Sequence, residues 1–147
     1  MSTRAKLADA NPLRVNECLC LHLQRAARAV ARRFDDAFRP LGLTSGQFSL
    51  MFALTRMEKP GISAVANVLA MDRTTLTANL KPLKRDGLVK IAIDKEDRRG
   101  RHLTLTASGR ALLATALPVW RRTHADIDRL LSRPDPATLR EGLRALS

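Results

Sequence analysis

The sequence predicts a mainly α-helical chain with one small β-hairpin, an α+β class in which the hairpin interrupts a run of helices. Three observations predict it. Apolar residues recur every three or four positions through most of the chain, as on one face of a helix. The period drops to two only between Leu88 and Thr106. Aromatic residues make up 3% of the chain and tyrosine is absent, so the core must be built from aliphatic seams.

The elements follow in order. Leu19, Leu23, Ala26, Val30, Phe34, Ala37 and Leu41 line one face of a long first helix, from about Leu13 to Leu41, which Pro40 and Gly42 end. Thr44-Ser45-Gly46-Gln47 has the spacing of a capping box and opens a second helix; Lys59-Pro60-Gly61 stops it. A short helix over Ser63–Leu69, with Ser63 as its cap and Val65, Val68 and Leu69 buried, leads through Ala70-Met71 to Asp72. That residue caps a helix reaching Asp86, with Leu76, Leu80 and Leu83 inward and Gly87 as a left-handed stop.

Leu88–Ile93 and His102–Thr106 then read as two strands around a charged tip, Asp94–Gly100. Thr106 caps a long helix to about Leu131 in which Pro118 should release one hydrogen bond or kink the axis. Asp135 and Pro136 open a last helix striped by Leu139, Leu143 and Leu146.

Charge narrows the function. With 26 Lys+Arg against 14 Asp+Glu, the net charge of +12 favours a polyanionic partner. No N-terminal apolar run resembles a signal peptide and no stretch approaches the roughly 20 apolar residues of a membrane span. The expected location is the cytoplasm, with no membrane partner. An enzyme is not expected, because no phosphate loop, metalloprotease helix or nucleophile elbow appears.

A short helix, a tight turn, a second helix and a basic hairpin make the order of a winged helix-turn-helix, and double-stranded DNA is the partner it implies. On the second helix, Arg73, Thr74, Thr75, Thr77, Asn79, Lys81 and Lys84 are read as outward groups that donate to base edges and phosphates. At the wing, Arg98, Arg99 and Arg101 crowd one turn, where an arginine can enter a narrow minor groove. Asp97 is placed to orient one of them through a bidentate pair. The organisation expected is an N-terminal dimerisation helix over 1–43, a DNA-binding lobe over 44–106 and C-terminal dimerisation helices over 107–147.

These residues resemble the MarR family of bacterial regulators. The likeness runs through Ser63–Leu69, Asp72-Arg73-Thr74-Thr75-Leu76-Thr77, Leu80-Lys81-Pro82-Leu83 and Asp86-Gly87-Leu88-Val89. It continues in the wing, Asp97-Arg98-Arg99, and in Leu105-Thr106 followed by Gly109. The resemblance implies a homodimer held by its terminal helices on a pseudo-palindromic operator. It further implies repression relieved by a small ligand, often phenolic, or by an oxidant, with Arg73 to Asn79 in the major groove and Arg98 in the minor groove.

The signal is less legible. Phe34, Phe38, Phe48, Phe52 and Trp120 are the large aromatics available to line a pocket for a small aromatic effector, and equally core residues. Cys18 and Cys20 read either as buried structural thiols or as a redox pair. Leu19-Cys20-Leu21 resembles the reactive-cysteine position of the family's peroxide-sensing branch, which places tyrosines beside its thiol; this chain has none. The scattered histidines His22, His102 and His124 build no zinc site, and neither metal nor cofactor is expected. The competing readings are a sequence-neutral, nucleoid-type nucleic-acid binder and a peripheral membrane protein bound through the arginines of the first helix, whose face Asp35 and Asp36 interrupt.

Overall fold

The computed structural model describes residues 16–147. Its elements run α1 (Leu19–Phe38), a 3-10 turn (Arg39–Leu41), α2 (Ser45–Leu54), α3 (Ile62–Val68), α4 (Arg73–Arg85), β1 (Val89–Ile93), β2 (Arg101–Leu105), α5 (Ala107–Asp128) and α6 (Pro136–Arg144). The expected start of the first helix at Leu13 lies outside the described residues. Among those described, no helix is long and apolar enough to cross a membrane.

Each helix begins where a side chain can satisfy its free N–H groups, with two exceptions. Thr44 and Gln47 form the complete capping box, with Thr44 Oγ1 accepting from Gln47 N at 3.2 Å and Gln47 Oε1 accepting from Thr44 N at 3.0 Å. Asp72 caps α4 through Thr75 N at 2.7 Å. Asp135 caps α6 through Ala137 N and Thr138 N, with Pro136 at the first helical position. The exceptions are α1 and α3. Cys18 flanks α1 without a side-chain cap. At α3 the expected cap at Ser63 is displaced: the helix starts at Ile62 with Gly61 before it, because Val65 N reaches Gly61 O at 3.2 Å.

A single core joins Phe34 and Phe38 of α1, Leu50 and Met51 of α2, Val65 of α3, Leu76 and Leu83 of α4, Val89, Leu103 and Leu105 of the hairpin, and Leu113 and Ala116 of α5. Val68, expected inside, is 63% exposed. The buried side of α3 is set by Val65 and Ala66, and Val68 falls a third of a turn from it. Pro82 and Pro118 sit inside α4 and α5 without ending either. The carbonyls that each proline frees belong to the exposed residues Ala78 and Ala114, where water can satisfy them.

The strands pair antiparallel, with Val89 opposite Leu105 and Ile93 opposite Arg101. A tight joint fastens this hairpin to the helices on both sides. Gly87 ends α4 at φ +70°, and its carbonyl accepts from Thr106 Oγ1 at 2.6 Å. Thr106 N donates to Leu88 O at 3.1 Å, and Thr106 Oγ1 also accepts from Gly109 N at 3.0 Å, capping α5. The approach is so close that a Cβ on Gly109 would stand 2.1 Å from Leu88 O.

Two outcomes follow for stability. Helix-interior Gly→Ala normally stabilises by up to about 1 kcal/mol. Gly142→Ala, with nothing within 4 Å, should do so in urea unfolding, whereas Gly109→Ala should destabilise by about 1–3 kcal/mol through overpacking. The second concerns pH. The Thr75 N–H holds the Asp72 carboxyl below the usual carboxylate range, and the Thr138 hydroxyl does the same for Asp135. A depressed folded-state value means stabilisation that is complete above the ordinary range and lost as pH falls through the depressed one. Asn caps equally well without titrating. The Asp72→Asn, Asp135→Asn variant should therefore show a flatter melting-temperature profile below about pH 4.

Candidate nucleic-acid interface

The helix-turn-helix depends on a strained turn. Ala70 takes a left-handed φ of +50°, which lets Met71 N return to Ala66 O at 2.9 Å. Asp72 then starts α4, and Leu76, Leu80 and Leu83 fix one side of the new helix into the core.

The opposite side is open. Arg73, Thr74, Thr77, Ala78 and Lys81 line one shallow concavity of about 420 Å³. These positions fall on one helical stripe, spaced one, four, five and eight from Arg73. Lys84 and Arg85 continue it into the last turn, where their charge also suits the helix C-terminus. Arg85 is held by Asp86 at 2.9 Å.

Two of the expected outward residues are not on this stripe. Asn79 is half-buried and turned toward α2, and its amide lies where a Cβ on Gly46 would be, 2.9 Å away. Thr75 is exposed, but its hydroxyl donates to Asp72 Oδ2 at 3.0 Å and so belongs to the cap. Thr77 spends its hydroxyl proton on Arg73 O at 2.7 Å, which leaves its methyl and an oxygen lone pair outward.

The wing projects beside this surface. Leu103 N donates to Pro60 O at 2.8 Å, which ties the hairpin to the segment before α3. At the tip, Asp94 N donates to Gly100 O at 2.9 Å and Gly100 N to Asp97 O at 2.8 Å. The two carboxylates brace the turn from within: Asp94 Oδ1 accepts from Glu96 N and Asp97 Oδ1 from Arg99 N, each at 3.0 Å. The first of these bonds holds the Asp94 carboxyl below its usual range. Asp97 therefore does not pair with an arginine side chain as expected, because the backbone N–H of the turn claims it first. Arg98, Arg99 and Arg101 are exposed and make no ion pair among the described residues.

The five expected aromatics do come together. Phe38 stacks on Phe48 at 4.8 Å, Phe48 on Phe52 at 6.0 Å, and Trp120 lies 6.3 Å and 6.5 Å from Phe48 and Phe52. Phe34, Phe38 and Phe48 are buried core residues, yet Phe34, Phe38, Phe48 and Trp120 also wall a cavity of about 140 Å³. An adjoining cleft of about 290 Å³ runs between Phe48, Phe52 and Trp120 on one side and Val68 and Leu69 of α3 on the other.

Of the polar groups at these spaces, periodicity places only His124, on the side of α5 that carries Trp120. Ser45, Ser49 and His124 line the cavity, and Arg56 stands 5.4 Å above the Phe52 ring at the cleft. Both Arg56 and His124 lie four residues after an aromatic, one helical turn on, which is the signal that marks them. Burial pushes the His124 imidazole below its usual range, Arg140 adds to this, and Asp128 opposes it. Cys18 and Cys20 are both exposed, not buried, since they sit at the start of α1 beyond the core. Among the described residues no cluster of three His, Cys, Asp or Glu groups could hold a metal ion.

No protein-family model matches the sequence. Over 110 residues it is 29% identical to the HTH-type transcriptional regulator SarZ of Staphylococcus haemolyticus, a match covering 75% of each chain. The crystal structure of the M. tuberculosis transcriptional regulator MosR superposes with a TM-score of 0.78 at 36% identity, covering 88% of this chain and 93% of that one. The transcriptional repressor CouR, solved on a 23-mer DNA duplex, superposes with a TM-score of 0.80 at 31% identity, covering 90% and 94%. Joined to the helix-turn-helix, the wing and the Thr106 joint, these likenesses place the chain in the MarR family of winged helix-turn-helix transcriptional regulators.

Proposed function

We propose that the protein is a homodimeric repressor that binds a pseudo-palindromic operator and leaves it in response to a small aromatic effector or an oxidant. The supporting observation is how the exposed surface divides. The cationic, hydrogen-bonding stripe of α4 and the arginines of the wing lie on the lobe spanning 44–106. Large exposed apolar side chains lie at the ends of the flanking helices: Leu19 is 58% exposed, Leu130 61% and Leu146 60%. A second copy would cover them, with dimerisation through segments 1–43 and 107–147. Two-fold symmetry would then present two α4 stripes to half-sites about one helical turn apart. CouR, a repressor solved on DNA, supports the direction of control.

In this reading Arg73, Thr74, Thr77 and Lys81 face the major groove, Lys84 and Arg99 reach phosphates, and Arg98 or Arg101 enters the minor groove. Asn79 and Thr75 act indirectly by holding α4 in place. The effector enters the aromatic cleft, where it touches Trp120 of α5 and Leu69 of α3 together. The exposure of Cys18 and Cys20 favours the oxidant arm: a peroxide accepts two electrons from two thiols, giving a disulfide, an alcohol and water.

Selection of bound duplexes from a random pool at physiological salt should recover a palindrome with half-sites about 10 base pairs apart; a pool without a motif would favour the sequence-neutral reading. Arg98→Ala should weaken operator binding, and Arg99→Ala should lower the log–log salt slope by about 0.9, the share of one phosphate-neutralising contact, while the dimer sediments unchanged in both. An operator affinity that does not move would put Arg98 outside the interface, and an unmoved slope would do the same for Arg99. The Cys18→Ser, Cys20→Ser variant should keep operator affinity and lose the response to peroxide; an intact response would remove the thiol arm.

A further inference from the structure

The strongest cationic feature outside the proposed operator face is on α1. Arg25, Arg28 and Arg32 lie on one side of this helix with His22, and together with Ala26 and Ala29 they border an open concavity of about 500 Å³. All three arginines are exposed, and none makes an ion pair among the described residues. The acid next along this side, Asp36, is engaged by Arg39 at 2.5 Å. Like charges three and four residues apart repel along a helix, so the stripe is built against its own local electrostatics. A bound anion would relieve that repulsion.

The stripe lies on the side of α1 that faces away from the helix's own anchor in the core. Helix α1 is anchored through Phe34 and Phe38, which are buried, and at about 100° per residue Arg25 and Arg32 lie on the opposite side. Helix α1 packs on α2, and α2 in turn packs on α4. At 8–10 Å per helix contact, these two packings let the axes of α1 and α4 stand up to about 20 Å apart. The stripe therefore belongs to a different element and a separate concavity from the cationic stripe of α4.

We propose that Arg25, Arg28 and Arg32 form a second phosphate-binding surface that takes the backbone of a separate DNA duplex. Their span along the helix is about 10 Å, close to that of four successive phosphates of one strand at about 3.4 Å of axis per step. Guanidinium groups bind phosphate bidentately and keep their charge at any cellular pH. Guanidinium groups spread along one helix face match backbone phosphates, so this contact is independent of sequence, and a dimer holding its operator would bridge to a second DNA segment.

The inference rests on the operator-binding reading, and the test separates the two. Native mass spectrometry and sedimentation are run on the full-length protein with its selected operator duplex and a labelled duplex lacking the operator. The wild type should form an operator complex that takes up the second duplex at about 50 mM salt. Three contacts per stripe predict that this uptake weakens about 40-fold by about 200 mM. The Arg25→Gln, Arg28→Gln, Arg32→Gln variant should keep operator affinity and lose the second duplex. Arg28→Gln alone, which leaves most of the helix charge in place, should lower the salt slope of that uptake by about 0.9.

Failure of the wild type to capture a second duplex while it binds operator overturns this proposal and spares the operator reading. Loss of operator affinity in the triple variant would assign the stripe to flanking DNA of the same duplex, and dissociation of the dimer would assign it to the subunit interface. Either result overturns the second-duplex site.

Discussion

The rest of the structure depends on the Thr106 hydroxyl. It donates to the carbonyl that ends α4 and accepts from the N–H that opens α5, at 2.6 Å and 3.0 Å. One oxygen atom thereby closes the C-terminus of one helix against the N-terminus of the next, with the whole hairpin looped out between them. Gly109 allows α5 to press against Leu88 closely enough for these bonds to form. A bulkier residue there would push α5 outward and draw the hairpin and the end of α4 with it. Helix α4 and the wing therefore behave as one mechanical piece, and α5 is bonded to that piece at its base.

The aromatic cluster lies at the other end of the same lever. Trp120 is about four turns beyond the Thr106 joint on α5, and it shares the cleft with Val68 and Leu69 at the end of α3. A change in the separation of α5 from α3 would act on both ends of the helix-turn-helix, one through the left-handed turn at Ala70 and the other through the joint. The only described ion pair linking α6 to α5, Arg140 to Asp128 at 2.5 Å, lies one turn past His124.

Much of this was legible in the residues alone. Helix starts at Thr44, Asp72, Thr106 and Asp135, and the stop at Gly87, are written in local chemistry, where a side chain meets a backbone group no more than three residues away. The two strands and the inward leucines of α4 follow from periodicity. What escaped depends on neighbours distant in sequence. Asn79 lies on a flank of α4 whose exposure is decided by how closely α2 approaches at Gly46, and helical period alone does not set that distance. Asp97 had two possible partners, and the turn geometry that favoured Arg99 N over a guanidinium exists only once the hairpin is formed. The helical period sets His124 on the same side of α5 as Trp120, whereas the charge of Arg56 assigns it to the surface and the packed structure sets it over the Phe52 ring.

The tip of the wing carries one more consequence. Its shape is maintained by Asp94 and Asp97 bonding to the turn's own N–H groups, so three neighbouring arginines remain uncommitted. The backbone of the tip is already ordered before any partner arrives. Docking then has to immobilise side chains and little else, and the conformational entropy lost on association is confined to the rotamers of a few arginines. Replacing either carboxylate would leave the number of positive charges unchanged while making the finger that bears them slack.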